Sequence, residues 1–132
     1  MNKYPITDQL FFPFNSFLAP PLEPRGVEIF DKESDELSVR WRPPEDSDAF
    51  KVEEYVVQHR KFKATIYTNA SFPATKDKDT YSFRIQNLEP KTTYMIRVGA
   101  INDYGYNFNE EKGHETLKAR KPFIYLFWNQ KR

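Results

Sequence analysis

Residues 87–107 read NLEPKTTYMIRVGAINDYGYN, and this stretch decides the fold. Within it Tyr94, Ile96, Val98 and Ala100 alternate with Met95, Arg97, Gly99 and Ile101. A period of two sends successive side chains to opposite faces of an extended strand, with Tyr94, Ile96, Val98 and Ala100 on the face that seeks a core. Glu89-Pro90-Lys91-Thr92 ahead of it and Asn102-Asp103-Tyr104-Gly105 behind it carry the residues that favour tight turns.

The same rhythm recurs on both sides. In LSVRW, Leu37, Val39 and Trp41 share one face, Ser38 and Arg40 the other, and Pro43-Pro44 stops the strand. Upstream, Val27 and Ile29 flank Glu28. In EYVVQHRK, Tyr55, Val57 and His59 stand opposite Val56, Gln58 and Arg60. ATIYT (64–68), rich in β-branched residues, is expected as a weaker strand. Asn69-Ala70-Ser71 and FPATKDKD are expected as loop. YSFRIQNL places Phe83 and Ile85 together, and GHETLKA (113–119) is expected as the last strand. Seven strands in about 95 residues, with turns between them and no sustained helical period, predict an all-β, two-sheet sandwich.

Bulk properties narrow the function. The chain has 132 residues, which suits one domain with short flanks. With 17% aromatics it holds too much large apolar surface for a disordered chain. A net charge of +1 with mixed signs gives no field for nucleic acid. No cysteine is present, so thiol catalysis, zinc ribbons and disulfide scaffolds are excluded, and His59 and His114 are the only histidines. The apolar runs Leu10–Phe14 and Phe123–Trp128 are too short to cross a bilayer, so no direct membrane insertion is expected. The first 20 residues match a secretory leader poorly, since Pro13 and Asn15 interrupt the apolar segment.

Several residues at set spacings resemble the fibronectin type III family. LSVRWRPP resembles the family's second strand, with Trp41 at the buried tryptophan position. EEYVVQHRK resembles the third strand. In NLEPKTTY, Leu88 lies six residues before the corner tyrosine, Tyr94, and Val98, Ala100, Asn102 and Gly105 fall at family positions. The resemblance spans roughly residues 20–120. It implies a seven-stranded immunoglobulin-like sandwich of fibronectin type III topology, with an aromatic flank over 1–19 and a tail or following segment over 121–132. Trp41, Tyr55, Val57, Leu88, Tyr94 and Val98 are then its structural core, and the Tyr94 hydroxyl is expected to return to backbone near residues 86–91. The stretch after Gly105 is longer and more polar than usual in the family, and the RGD tripeptide of some members is absent.

Candidates for chemistry are few. The acidic clusters Glu33/Asp35/Glu36, Glu45/Asp46/Asp48 and Glu110/Glu111 fall in expected turns without calcium-loop spacing, so solvated turns are the plainer reading. No serine sits in a nucleophile context and four scattered glycines make no phosphate loop, so no catalytic residue, metal site or cofactor is expected. Asn69-Ala70-Ser71 is an N-glycosylation sequon. Arg60, Lys61 and Lys63, and again Lys118, Arg120 and Lys121, form basic clusters of the kind that bind acidic glycans, against the plainer reading of a solvated edge. Tyr104, Tyr106 and Phe108 are read as a recognition loop for a protein partner, against the alternative that they cap the core. The Phe-rich LFFPFNSFLA either folds back on the domain or docks on a partner, and PPLEPRG reads as a linker.

The function expected is a non-catalytic protein-binding and spacer module of a cell-surface receptor or adhesion protein, part of a longer extracellular chain. An intracellular structural module of a muscle or cytoskeletal protein, or an accessory domain of a carbohydrate-active enzyme, are the alternatives.

Overall fold

A computed structural model of the chain describes residues 18–45, 47 and 51–120. The aromatic flank up to residue 17, the tail from 121 onward, and Asp46 and Asp48 of the second acidic cluster lie outside the described residues. Eight strands make up the described chain: β1 (Arg25–Lys32), β2 (Leu37–Arg42), β3 (Glu54–Lys61), β4 (Thr68–Pro73), β5 (Tyr81–Ile85), β6 (Thr93–Asn102), β7 (Gly105–Phe108) and β8 (Lys112–Glu115). They form two antiparallel sheets, β1-β2-β5 and β4-β3-β6-β7, with β8 also paired to β6. β7 covers Gly99–Asn102 and β8 covers Thr93–Ile96, so they divide one edge of β6 between them. Asn109 sits at the break, where its side-chain oxygen accepts the Val98 N–H at 2.7 Å. Counting those two segments as one interrupted strand recovers the expected seven.

The core follows from the period of two. Leu37, Val39 and Trp41 of β2 and Ile85 of β5 face Tyr55 and Val57 of β3 and Tyr94, Ile96, Val98 and Ala100 of β6, all buried. Trp41, 1% exposed, stacks on Tyr81 with centroids 5.8 Å apart and rings 9° from parallel, and Tyr55 tilts against both. Tyr81 opens β5 on the same face as Phe83 and Ile85. Its hydroxyl is satisfied twice, accepting from Thr75 N–H and donating to Thr75 C=O, both at 3.0 Å. Burial raises the Tyr55 phenol well above its ordinary value, with the neighbouring Tyr81 adding to the shift.

Tyr94 closes the crossover. Its phenol oxygen accepts the Glu89 N–H at 2.9 Å, across the turn that Leu88 anchors through its own N–H to Asp35 C=O. The buried Thr116 hydroxyl donates to Glu89 C=O at 2.6 Å and accepts from Thr92 N–H at 3.0 Å. One turn is thus held from two directions.

Four expectations need correction. The fourth strand is Thr68–Pro73, not residues 64–68, because Ala64 N–H bonds Lys61 C=O and Arg60 donates to Ala64 C=O, which spends that backbone on a turn. Asn69 therefore lies on a strand, opposite Gln58, rather than in a loop. The last strand runs from Lys112 to Glu115 and stops short of Thr116–Ala119. The proline-rich PPLEPRG is not a free linker either: Pro21 and Pro24 are buried, and the side-chain amides of Asn102 and Asn107 each donate at 2.7 Å to Ala19 C=O and Pro21 C=O.

Candidate functional site

The outer face of the second sheet gathers most of the chemistry. On β6, alternation sends Met95, Arg97, Gly99 and Ile101 outward, away from the core. Phe108 of β7 pairs with Gly99, and only a glycine fits there, since a Cβ would lie 2.6 Å from the Phe108 ring. The ring reaches over toward Arg97, whose guanidinium sits 4.4 Å from the Phe108 centroid and 4.5 Å from that of Tyr67. Arg60 approaches Tyr67 in turn, at 5.4 Å. Tyr106 meets Phe108 edge-on at 5.6 Å. The result is an alternating stack of rings and cations, Tyr106, Phe108, Arg97, Tyr67 and Arg60, drawn from four separate segments.

Glu111 fastens one end of the stack. Arg60 holds it with two hydrogen bonds, Nε to Oε2 at 3.1 Å and Nη2 to Oε1 at 2.6 Å, and the Tyr67 hydroxyl donates to the same carboxylate. The side chains of this pair are 22% and 21% exposed, so the interaction is sheltered and geometrically forked, the form in which an ion pair contributes most. Gln58 Oε1 accepts from Arg97 Nε at 2.7 Å and fixes the rotation of that guanidinium.

The expected recognition loop is different in kind. Tyr106 and Phe108 lie on strand β7, and only Tyr104 sits in the two-residue turn. The local sequence gives the reason. Asn102 Oδ1 accepts the Tyr104 N–H at 2.8 Å and Gly105 takes φ 145°, which a side chain would strain. A tight hairpin forms and the residues after it continue as a strand. Tyr104 and Tyr106 remain 52% and 64% exposed. Phe108 is partly covered by its contacts.

The basic cluster is also reshaped. Arg60 is taken by Glu111 and Lys61 by Glu89, leaving Lys63 without an acidic partner among the described residues. Glu33 meets Arg120 at 3.6 Å, and Glu36 meets Arg84 at 3.5 Å. Among the described residues no group of three His, Asp or Glu side chains could hold a metal ion, and no helix is long and apolar enough to cross a membrane. His59 packs edge-on to Tyr94 at 6.0 Å. His114 is half-buried beside Tyr94 in the pairing of β8 with β6. Asn69 is exposed on edge strand β4.

The model of the fibronectin type III domain matches residues 22–116. The chain belongs to the fibronectin type III family. This fibronectin type III domain is 28% identical over 97 residues to the titin homolog of Caenorhabditis elegans, covering 73% of this chain and 0%, to the nearest per cent, of that protein. It is 26% identical over 107 residues to protein sidekick-2 of Mus musculus, covering 80% of this chain and 5% of the relative. The solution structure of the human contactin 1 fibronectin type III domain superposes with a TM-score of 0.66 at 28% identity, over 79% of this chain and 84% of that one. The chain spans 5% or less of the length of these two curated relatives.

Proposed function

We propose that this fibronectin type III domain is a non-catalytic, protein-binding and spacer module of a cell-surface receptor or adhesion protein, with residues 20–120 as the module. The observation that carries the reading is the β6–β7 hairpin. Two exposed tyrosines stand at one end of the sandwich, Tyr104 on a turn whose backbone is fixed by Asn102 and Gly105 and Tyr106 on the strand that follows it. Tyrosine offers large contact area at low entropic cost, so a rigid pair at a loop tip suits recognition. Likeness to sidekick-2 and to contactin 1 supports the same reading. Glycan attachment at the exposed Asn69 belongs to it.

An adhesion assay tests the hairpin. Cells should attach to a surface coated with the module, and the double variant Tyr104→Ser with Tyr106→Ser should abolish attachment while its melting temperature holds. Equal attachment to both would remove the hairpin as the contact surface. A second reading, an intracellular structural module, has the titin homolog in its favour. Expression through a secretory route separates the two: a mass increase that Asn69→Gln removes supports the first, and an unmodified mass supports the second.

A further inference from the structure

Arg97 is the residue of the outer face whose chemistry is left open. Its guanidinium carbon lies over the rings of both Phe108 and Tyr67, and Gln58 fixes it through Nε. Its Nη1 and Nη2 donate to no described group, and the residue is half-buried. No carboxylate among the described residues lies within ion-pairing distance of it. The neighbouring carboxylate, Glu111, is already engaged by Arg60 and Tyr67.

A guanidinium in this state is prepared for a planar anion. Its five N–H groups form a fixed fork, and one is used here on Gln58. The outward edge presents two parallel donors that match the two oxygens of a carboxylate. The flanking rings have already removed much of the side-chain freedom that binding would otherwise cost. Along the same stack, Tyr106 offers an exposed phenol.

We infer that Arg97 is the docking point for a carboxylate of a protein partner, held in an acidic peptide segment that lies across the outer face of the β4-β3-β6-β7 sheet. The charge complementarity is local. Arg60, Lys61 and Arg97 face outward or edgewise here, yet only Arg97 has no carboxylate of its own. A peptide carboxylate fits a single preorganised fork, whereas a sulfated glycan takes a spread of free cations, and of Arg60, Lys61 and Lys63 only Lys63 is left without an acidic partner among the described residues. This inference names the partner chemistry of the binding reading above and rests on it.

Titration by nuclear magnetic resonance tests it, with acetylated and amidated hexaglutamate as the probe and hexaglutamine as control. The Arg97 Nε–H signal should shift saturably with hexaglutamate and not with hexaglutamine. Read through the backbone amides of Gln58, Gly99 and Phe108, which every variant retains, Arg97→Lys, which keeps the charge and loses the fork, should weaken the apparent affinity about tenfold. Arg97→Gln should remove saturation, with sheet-wide amide signals unmoved as proof of folding. No saturable shift in the wild type, or equal affinity in Arg97→Lys, would overturn the assignment. So would a heparin-derived sulfated hexasaccharide that saturates the Arg97 signal at lower concentration than the peptide. Failure of the adhesion assay with a positive titration would remove the hairpin reading and leave the carboxylate site. Adhesion with a silent titration would do the reverse.

Discussion

Trp41 fills the gap between the sheets, yet its indole N–H meets no acceptor among the described residues. Burying an unpaired donor costs about 1–3 kcal/mol, so the ring's area and packing must exceed that. Trp41→Ala is therefore expected to cost about 3–5 kcal/mol in urea unfolding. Trp41→Phe removes the orphan donor with less loss of packing and should cost about 1–2 kcal/mol. Equal losses in the two variants would show that the indole itself, and not the volume it fills, governs the site. Tyr94→Phe deletes the acceptor of Glu89 N–H and should cost about 1–2 kcal/mol by the same measurement. The histidines set a pH dependence. Burial holds His59 below the ordinary value of 6.5, and burial followed by Lys32 and Lys112 does so for His114. Between those lowered values and 6.5 the unfolded chain binds more protons than the folded one, so stability rises with pH across that window. Melting temperature should fall on acidification below 6.5, and the double variant His59→Gln with His114→Gln should flatten that part of the curve. An unchanged slope would place the effect on other groups.

At the level of strands, the outer-face stack depends on one missing side chain. Gly99→Ala would drive a methyl group into Phe108, and relief requires that ring to leave Arg97. The expected result is a loss of about 1–3 kcal/mol and a changed Arg97 Nε–H signal, read by denaturation and by nuclear magnetic resonance. A changed stability with an unmoved signal would mean that the ring yields without leaving the cation. Strands β2, β3 and β6 were legible because each sets a row of large buried apolar residues against a row that is mostly half-buried or exposed, which is the condition that writes a period of two into sequence. β4 was not, because TNASFP is a short edge strand with only Ala70 and Phe72 turned toward the core, while the stronger β-formers just before it serve a turn. β7 was misread for a related reason: Tyr106 and Phe108 alternate toward the outer face, so their spacing signals no core. The ring and cation stack could not be read at all. Arg60 and Glu111 lie 51 residues apart, and pairing across three strands alone makes them neighbours.

Across the whole molecule, stability is centred between the sheets and recognition is assigned to what projects from them. Asn69 illustrates the separation. Its side chain is exposed on an edge strand, so Asn69→Gln should change unfolding free energy by less than about 0.5 kcal/mol, even where it abolishes a glycan. A larger loss would show that the amide supports the edge. The chain's path into the sandwich has the opposite character. Asn102 and Asn107 grip the backbone at Ala19 and Pro21, and Pro20 rests against Gly105. Asn102→Ala with Asn107→Ala should release it, and residual dipolar couplings of residues 19–23 should then average toward zero; couplings that stay large would mean the prolines suffice. Ala19–Pro21 therefore enters the sandwich on a fixed heading, so a pull transmitted through that entry would load β6 and β7 before it reached β1.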